Sequence, residues 1–179
     1  PCGGKSTVLS HLSDAFEARS FDVYCAPEVP SLLINGGCAY PGHDGGQKLI
    51  EFEMALIKLQ IQLEDSFVQV ALSTGRPSVV VFDRGLMDIS AYLPKDQWQH
   101  VLAAGGYNEV DLAARYDLVL HLVTAAEGAE SYYTTANNTA RSETLAQACD
   151  LDASVRAAWT RTHQKVRLID NSTGFPEKV

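Results

Sequence analysis

Three short, largely apolar segments constrain this chain more than any other feature: "SVVVF" after Pro77, with its unbroken run of four, "LVLHLV" after Asp117 and "VRLI" after Lys165. A run of four apolar residues has no polar side to offer to water, so a strand built from it is covered on both faces. That is the environment of a parallel sheet with helices packed over it. "FDVYCAP" adds a further strand, ended by Pro27, whose ring removes a ladder donor. Between the strands lie segments of helical period. Strand–helix alternation with doubly covered strands defines a three-layer α/β/α sandwich.

The helices are read from apolar spacing. Val8, Leu9, Leu12, Ala15 and Phe16 place one over Lys5 to about Arg19. The longest runs from Gln47 to about Leu72, with Leu49, Phe52, Leu56, Leu59, Leu63 and Phe67 on one side and Ile50, Met54, Ile57, Ile61 and Val68 beside them. More than half of its surface is apolar, so it packs on more than one side. Shorter helices are predicted over Asp96–Ala104 and Asn108–Arg115, and a longer one from about Glu143 to His163. A glycine-rich loop, "NGGCAYPGHDGG", precedes the longest helix. No repeat, low-complexity tract or linker divides the chain, and at 179 residues with 46% hydrophobic content, residues 1–179 read as one domain with a sizeable core.

The chain opens "PCGGKSTVLS". Gly4-Lys5-Ser6 supplies the last three positions of the phosphate-binding loop pattern G-x-x-x-x-G-K-[ST], in which backbone N–H groups at a helix N-terminus form a nest for phosphate oxygens. On this reading Cys2, Gly3, Gly4, Lys5, Ser6 and Thr7 hold the nucleotide, with Lys5 reaching the terminal phosphates and Ser6 ligating magnesium. The same residues also make a fair helix start. In phosphate-loop folds a central strand feeds the loop, so the first strand is expected upstream of Pro1.

"VVVFDRG" strengthens the reading. Asp83 ends an apolar strand, where phosphate-loop folds place a second carboxylate for magnesium, and Arg84 stands where a guanidinium clamps phosphate oxygens. The plainer alternative has Asp83 capping the next helix and Arg84 paired on the surface. Asp88, one helical turn past Arg84, is placed to orient that arginine or an acceptor.

Taken together, "PCGGKST", "APEVPSLLI", "VVVFDRG" and "HLVTAA" followed by "YYTTANNTAR" resemble the NadR/Ttd-type AAA domain. That family belongs to the kinase-like phosphate-loop NTPases, and the resemblance spans essentially the whole chain. It implies an adenylate-kinase-like domain with a parallel five-stranded sheet, binding ATP or GTP with Mg2+. It implies phosphoryl transfer to a small-molecule acceptor or, as in the eukaryotic branch described as GTP- and phosphoinositide-binding, regulation of a partner. In that branch a lipid- or phosphate-binding domain follows the NTPase, which would bring peripheral membrane contact. Residue by residue, the resemblance makes Glu28 the carboxylate that accepts the acceptor's proton, and Arg141 a lid arginine that steadies the transferring phosphoryl group. It makes Asn171 to Gly174 candidates for closing over the base. The alternatives are a helix cap at Glu28, a salt bridge from Arg141 to Glu143 or Glu130, and a simple turn at Asn171.

Composition excludes other classes. A net charge of −8 argues against nucleic acid as a partner. No apolar run approaches the roughly 20 residues of a membrane span. Four scattered cysteines suit reduced thiols in the cytoplasm. His43-Asp44 lacks a further ligand at metal spacing, and Trp98, Trp159 and the remaining histidines read as packing residues. No N-K-x-D motif selects guanine.

Overall fold

The computed structural model describes residues 3–42, 45–133, 144–173 and 178. Helix α1 (Lys5–Glu17) leads into β1 (Asp22–Ala26), and α2 (Val29–Asn35) begins with a proline in its first turn, where no backbone donor is missed. Helix α3 (Gln47–Ser73) is the long one that the apolar period predicts. Then come β2 (Ser78–Phe82), a 3-10 helix over Leu86–Ala91, α4 (Lys95–Gly105) and α5 (Glu109–Ala113). Strand β3 (Val119–Leu122), a 3-10 turn at Glu130–Tyr132, α6 (Leu145–Thr162) and β4 (Val166–Ile169) complete the described elements. A capping box at Thr144 and Gln147 sets the start of α6, satisfying two backbone donors reciprocally.

All pairing is parallel, as the apolar runs predict. Asp22 lies opposite Ser78 in the β1–β2 pair, and Val119 opposite Val166 in the β3–β4 pair. Among the described residues these are two separate two-stranded sheets, not one sheet of five strands. The double burial expected of "SVVVF" is therefore not reached. Every residue of β2 is half-buried, because β2 has a strand neighbour on one side only. Strand β4, also paired on one side, exposes Arg167 and Leu168.

The deepest packing lies among helices. Val29 of α2, Leu49 and Ile57 of α3, Leu86 and Met87 of the 3-10 helix, and Val101 of α4 are wholly buried, with Trp98 and Trp159 against them. Both tryptophans are core residues, as read from sequence. Helix α3 departs from its apolar reading in two ways. Its buried stripe includes Glu53, Gln60 and Glu64, while Val68 and Leu72 near its end are exposed.

Candidate functional site

The N-terminus of α1, the C-terminal ends of β1 and β2, and the turn after β2 converge on one point. Gly4 adopts φ 87°, a left-handed conformation that glycine takes at no steric cost, and it caps α1 directly before Lys5. The first N–H groups of a helix have no intrahelical partner and point outward from its start. The loop is also tied to the other sheet. A side chain placed at Gly3 would lie 2.7 Å from the Leu122 carbonyl oxygen, so the backbone passes hard against the end of β3.

Lys5 Nζ stands 3.9 Å from Asp83 Oδ1. That oxygen is buried and accepts no hydrogen bond among the described residues. A buried, unsatisfied carboxylate oxygen is costly and marks a position shaped for something else. Burial raises the Asp83 pKa, and the Lys5 cation only partly offsets it. Lys5 is itself pushed below the usual lysine value by burial and by Arg84, against the pull of Asp83 and Glu28. Ser6 and Thr7 are exposed at the head of α1. This donor set fits a hard cation: an orphaned carboxylate oxygen at Asp83 and a free-standing hydroxyl at Ser6.

Glu28 follows β1 at the N-cap position of α2, but its side chain makes no cap hydrogen bond. Instead Arg84 Nε donates to Glu28 Oε1 at 2.5 Å, and Ser31 Oγ donates to Oε2 at 2.8 Å. The cap alternative is thus set aside. Burial works to raise the Glu28 pKa, but Arg84 and Ser31 outweigh it and hold the carboxyl below its ordinary value. Arg84 is likewise no surface residue. Burial disfavours its charge, yet Tyr92, Asp88 and Glu28 more than compensate and keep the guanidinium protonated. Its backbone sits at φ 80°, a costly left-handed conformation for a residue with a side chain.

The structure therefore brings Lys5, Glu28, Asp83 and Arg84 together, with Gly3, Gly4, Ser6 and Thr7 at the adjoining helix start. Asn171 is not among these residues. Its amide nitrogen donates to the Thr124 and Glu127 carbonyls, and its oxygen accepts from Lys178 Nζ, so the side chain is fully engaged within the protein. Cys2, Arg141, His43, Asp44 and Gly174 lie outside the described residues. Sequence reading missed Tyr116, whose hydroxyl accepts from Leu86 N and donates to Glu64 Oε1, holding the turn after Arg84 from two sides. The available signal was Glu64 itself, a carboxylate at helical spacing on the apolar stripe of α3.

A glycine-led helix N-terminus with a lysine facing an aspartate at a strand end defines a phosphate-loop nucleotide-binding domain. A family profile described as AAA domain matches residues 1–178, and the chain belongs to that family. Among curated proteins none matches it.

Proposed function

We propose that this domain binds ATP or GTP with magnesium and transfers a phosphoryl group to a small-molecule acceptor. The observation that carries the reading is the buried Asp83 oxygen, left without a hydrogen bond beside Lys5 at the head of α1. Lys5 would pair with the terminal phosphates, and Arg84 would clamp their oxygens. Glu28 would take the proton of the acceptor hydroxyl once Arg84 has turned from it toward phosphate. Ser6 and Asp83 would hold the magnesium ion, which when bound offsets phosphate charge. Arg141 remains the lid arginine of this reading, and the Asn171 segment the base-side loop. The protein is proposed to act in the cytoplasm. Any peripheral membrane contact would come through a further domain.

The finer fold belongs to the same proposal. A five-stranded, adenylate-kinase-like sheet needs one more strand between β2 and β3. The half-buried state of all five β2 residues supports that place for it. The test is the sequence preceding Pro1, which should carry four or more apolar residues ending in Gly-x.

A thermal-shift and calorimetry series with ATP, GTP and nucleosides, with magnesium and with chelator, tests binding, since a ligand raises the melting temperature with its concentration over Kd. Glu28→Gln tests transfer. As a lost general base it should cost roughly 10²–10⁴-fold in rate while nucleotide affinity holds.

One observation favours a second reading, a regulatory nucleotide-binding module with slow hydrolysis. Glu28 is held below its ordinary pKa by Arg84, which makes it a weak base as it stands. On that reading Glu28→Gln leaves hydrolysis unchanged, and no acceptor is found.

A further inference from the structure

Arg84 stands between two carboxylates, and the second has its own support. Glu28 Oε1 accepts from Arg84 Nε on one side, and Asp88 Oδ2 lies 3.7 Å from Arg84 Nη1 on the other. Asp88 is a buried residue of the 3-10 helix that follows the turn. Its other oxygen, Oδ1, accepts a 2.5 Å hydrogen bond from the indole N–H of Trp159. Trp159 comes from α6 and is 3% exposed. The indole thus fixes which way the Asp88 carboxylate faces, leaving Oδ2 for the guanidinium.

The packing around this contact admits little adjustment. A Cβ added at Gly85 would lie 2.7 Å from Trp159 Cζ2 and 3.1 Å from Tyr116 Cζ. The residue after Arg84 is therefore a glycine because the tryptophan ring occupies the space of a side chain. Tyr116 meets Trp159 edge to face at 5.1 Å and binds Leu86 N through its hydroxyl. The left-handed backbone of Arg84 is thereby held from the side of α6, and the guanidinium lies 5.9 Å from the centre of the Tyr92 ring.

We propose that Asp88, oriented by the Trp159 indole N–H, is a positioning residue for Arg84. It draws the guanidinium away from full engagement with Glu28 and keeps a donor edge open for phosphate. A guanidinium has five N–H donors in a rigid fork. With Nε bonded to Glu28 and Nη1 drawn toward Asp88 at 3.7 Å, neither terminal nitrogen hydrogen-bonds a carboxylate among the described residues, so both keep donors for phosphate. If Asp88 lost its charge, Glu28 alone would hold the arginine, and the planar fork would close on that carboxylate in bidentate fashion. A phosphate would then have to break a stronger pair. This inference rests on the nucleotide-binding reading of the same site.

The test is a binding cycle by calorimetry with MgATP and MgGTP. Wild type and Lys5→Ala come first. If wild type binds neither nucleotide, the nucleotide-binding reading fails, and the Asp88 proposal falls with it. Given wild-type binding, Asp88→Asn retains an acceptor for Trp159 but removes the charge facing Arg84. It is expected to weaken binding roughly tenfold, within the range of coupled neighbours. In an Arg84→Ala background the same change should have no effect beyond about twofold. Trp159→Phe keeps an aromatic ring beside Gly85 and removes only the N–H donor. It should weaken binding by about threefold, again only when Arg84 is present. If Asp88→Asn does not fold, Trp159→Phe carries the test alone. Equal affinity in the single variants, tighter binding, or the same loss with and without Arg84 would overturn the proposal. A purely structural role for Asp88 lowers the melting temperature without this dependence on Arg84.

Discussion

Two polar clusters sit at the C-terminal ends of the two strand pairs, and they are finished to different degrees. Beyond β3 and β4 each side chain has its partners. Asp152 Oδ2 meets His121 Nε2 at 3.0 Å, and its Oδ1 accepts from Thr124 N at 2.9 Å. Asn171 spans the Thr124 and Glu127 carbonyls, while Lys178 Nζ donates to the Val123 carbonyl at 2.9 Å. Beyond β1 and β2, by contrast, Asp83 Oδ1 is orphaned, Arg84 is backbone-strained, and Glu28, Asp83 and Asp88 compete for Lys5 and Arg84. A fully satisfied network fixes structure, whereas an incomplete one is held at a cost in stability and keeps its remaining valences for a ligand. The first cluster is closed within the protein, while the second keeps an unbonded carboxylate oxygen among the described residues.

Four measurements break or sharpen that contrast, from the largest effect down. Asp152→Ala strands His121 and the Thr124 N–H in a buried place. It should lose about 3–5 kcal/mol of stability in denaturant unfolding. Nucleotide affinity in the folded fraction should be unchanged, and a loss of binding at undiminished stability would erase the distinction.

Glu53 tests a buried group that belongs to neither cluster. It is 2% exposed, and burial pushes its carboxyl up to about 7. The folded pKa lies above the unfolded one, so the neutral form is favoured in the folded protein. Below about pH 4.5 both states are protonated and Glu53 costs nothing. Stability should fall as pH rises from there to about 7, by about 3 kcal/mol, and then level off. Glu53→Gln should flatten this slope in unfolding curves taken across that window.

Lys5→Ala should weaken triphosphate binding roughly 100-fold, about 2.7 kcal/mol, in calorimetry. The melting temperature should move little, because burial and Arg84 already work against the Lys5 cation. Equal affinity in variant and wild type would remove the site. Asp83→Asn should give the smallest change and the opposite sign. Neutralising a buried carboxylate whose pKa is raised should stabilise the apo domain by about 1 kcal/mol while abolishing the magnesium dependence of binding. A destabilised Asp83→Asn variant would move Asp83 into the structural group.

The strands and the charged site were legible in the sequence because each rests on local pattern. Apolar runs announced β2, β3 and β4, and Lys5, Asp83 and Arg84 stand at fixed places relative to a helix start and a strand end. What was not legible depends on partners distant in the chain. The half-burial of β2 depends on which strands flank it. That Trp159 is bonded to Asp88, beyond filling the core, follows only from how α6 lies along the 3-10 helix. Glu53, Gln60 and Glu64 sit in the period of Leu49 and Leu56, and their burial was masked by the richness of the apolar stripe around them. The 3-10 helix over Leu86–Ala91 has too few residues to show a period at all.

The parallel register also has a kinetic consequence. Asp22 pairs with Ser78, and Val119 with Val166, so neither sheet can start from a tight hairpin. Each must close a long loop, losing chain entropy before any ladder bond compensates for it. Helix α3 lies wholly within the first of these loops and packs on both strands that the loop joins. Its backbone hydrogen bonds are local, so early formation is expected of it, and its docking would bring the two strand ends within reach of each other. Truncating Leu56 or Ile57 should therefore show mainly in the folding arm of a chevron, which makes the longest helix the gate through which the first sheet assembles.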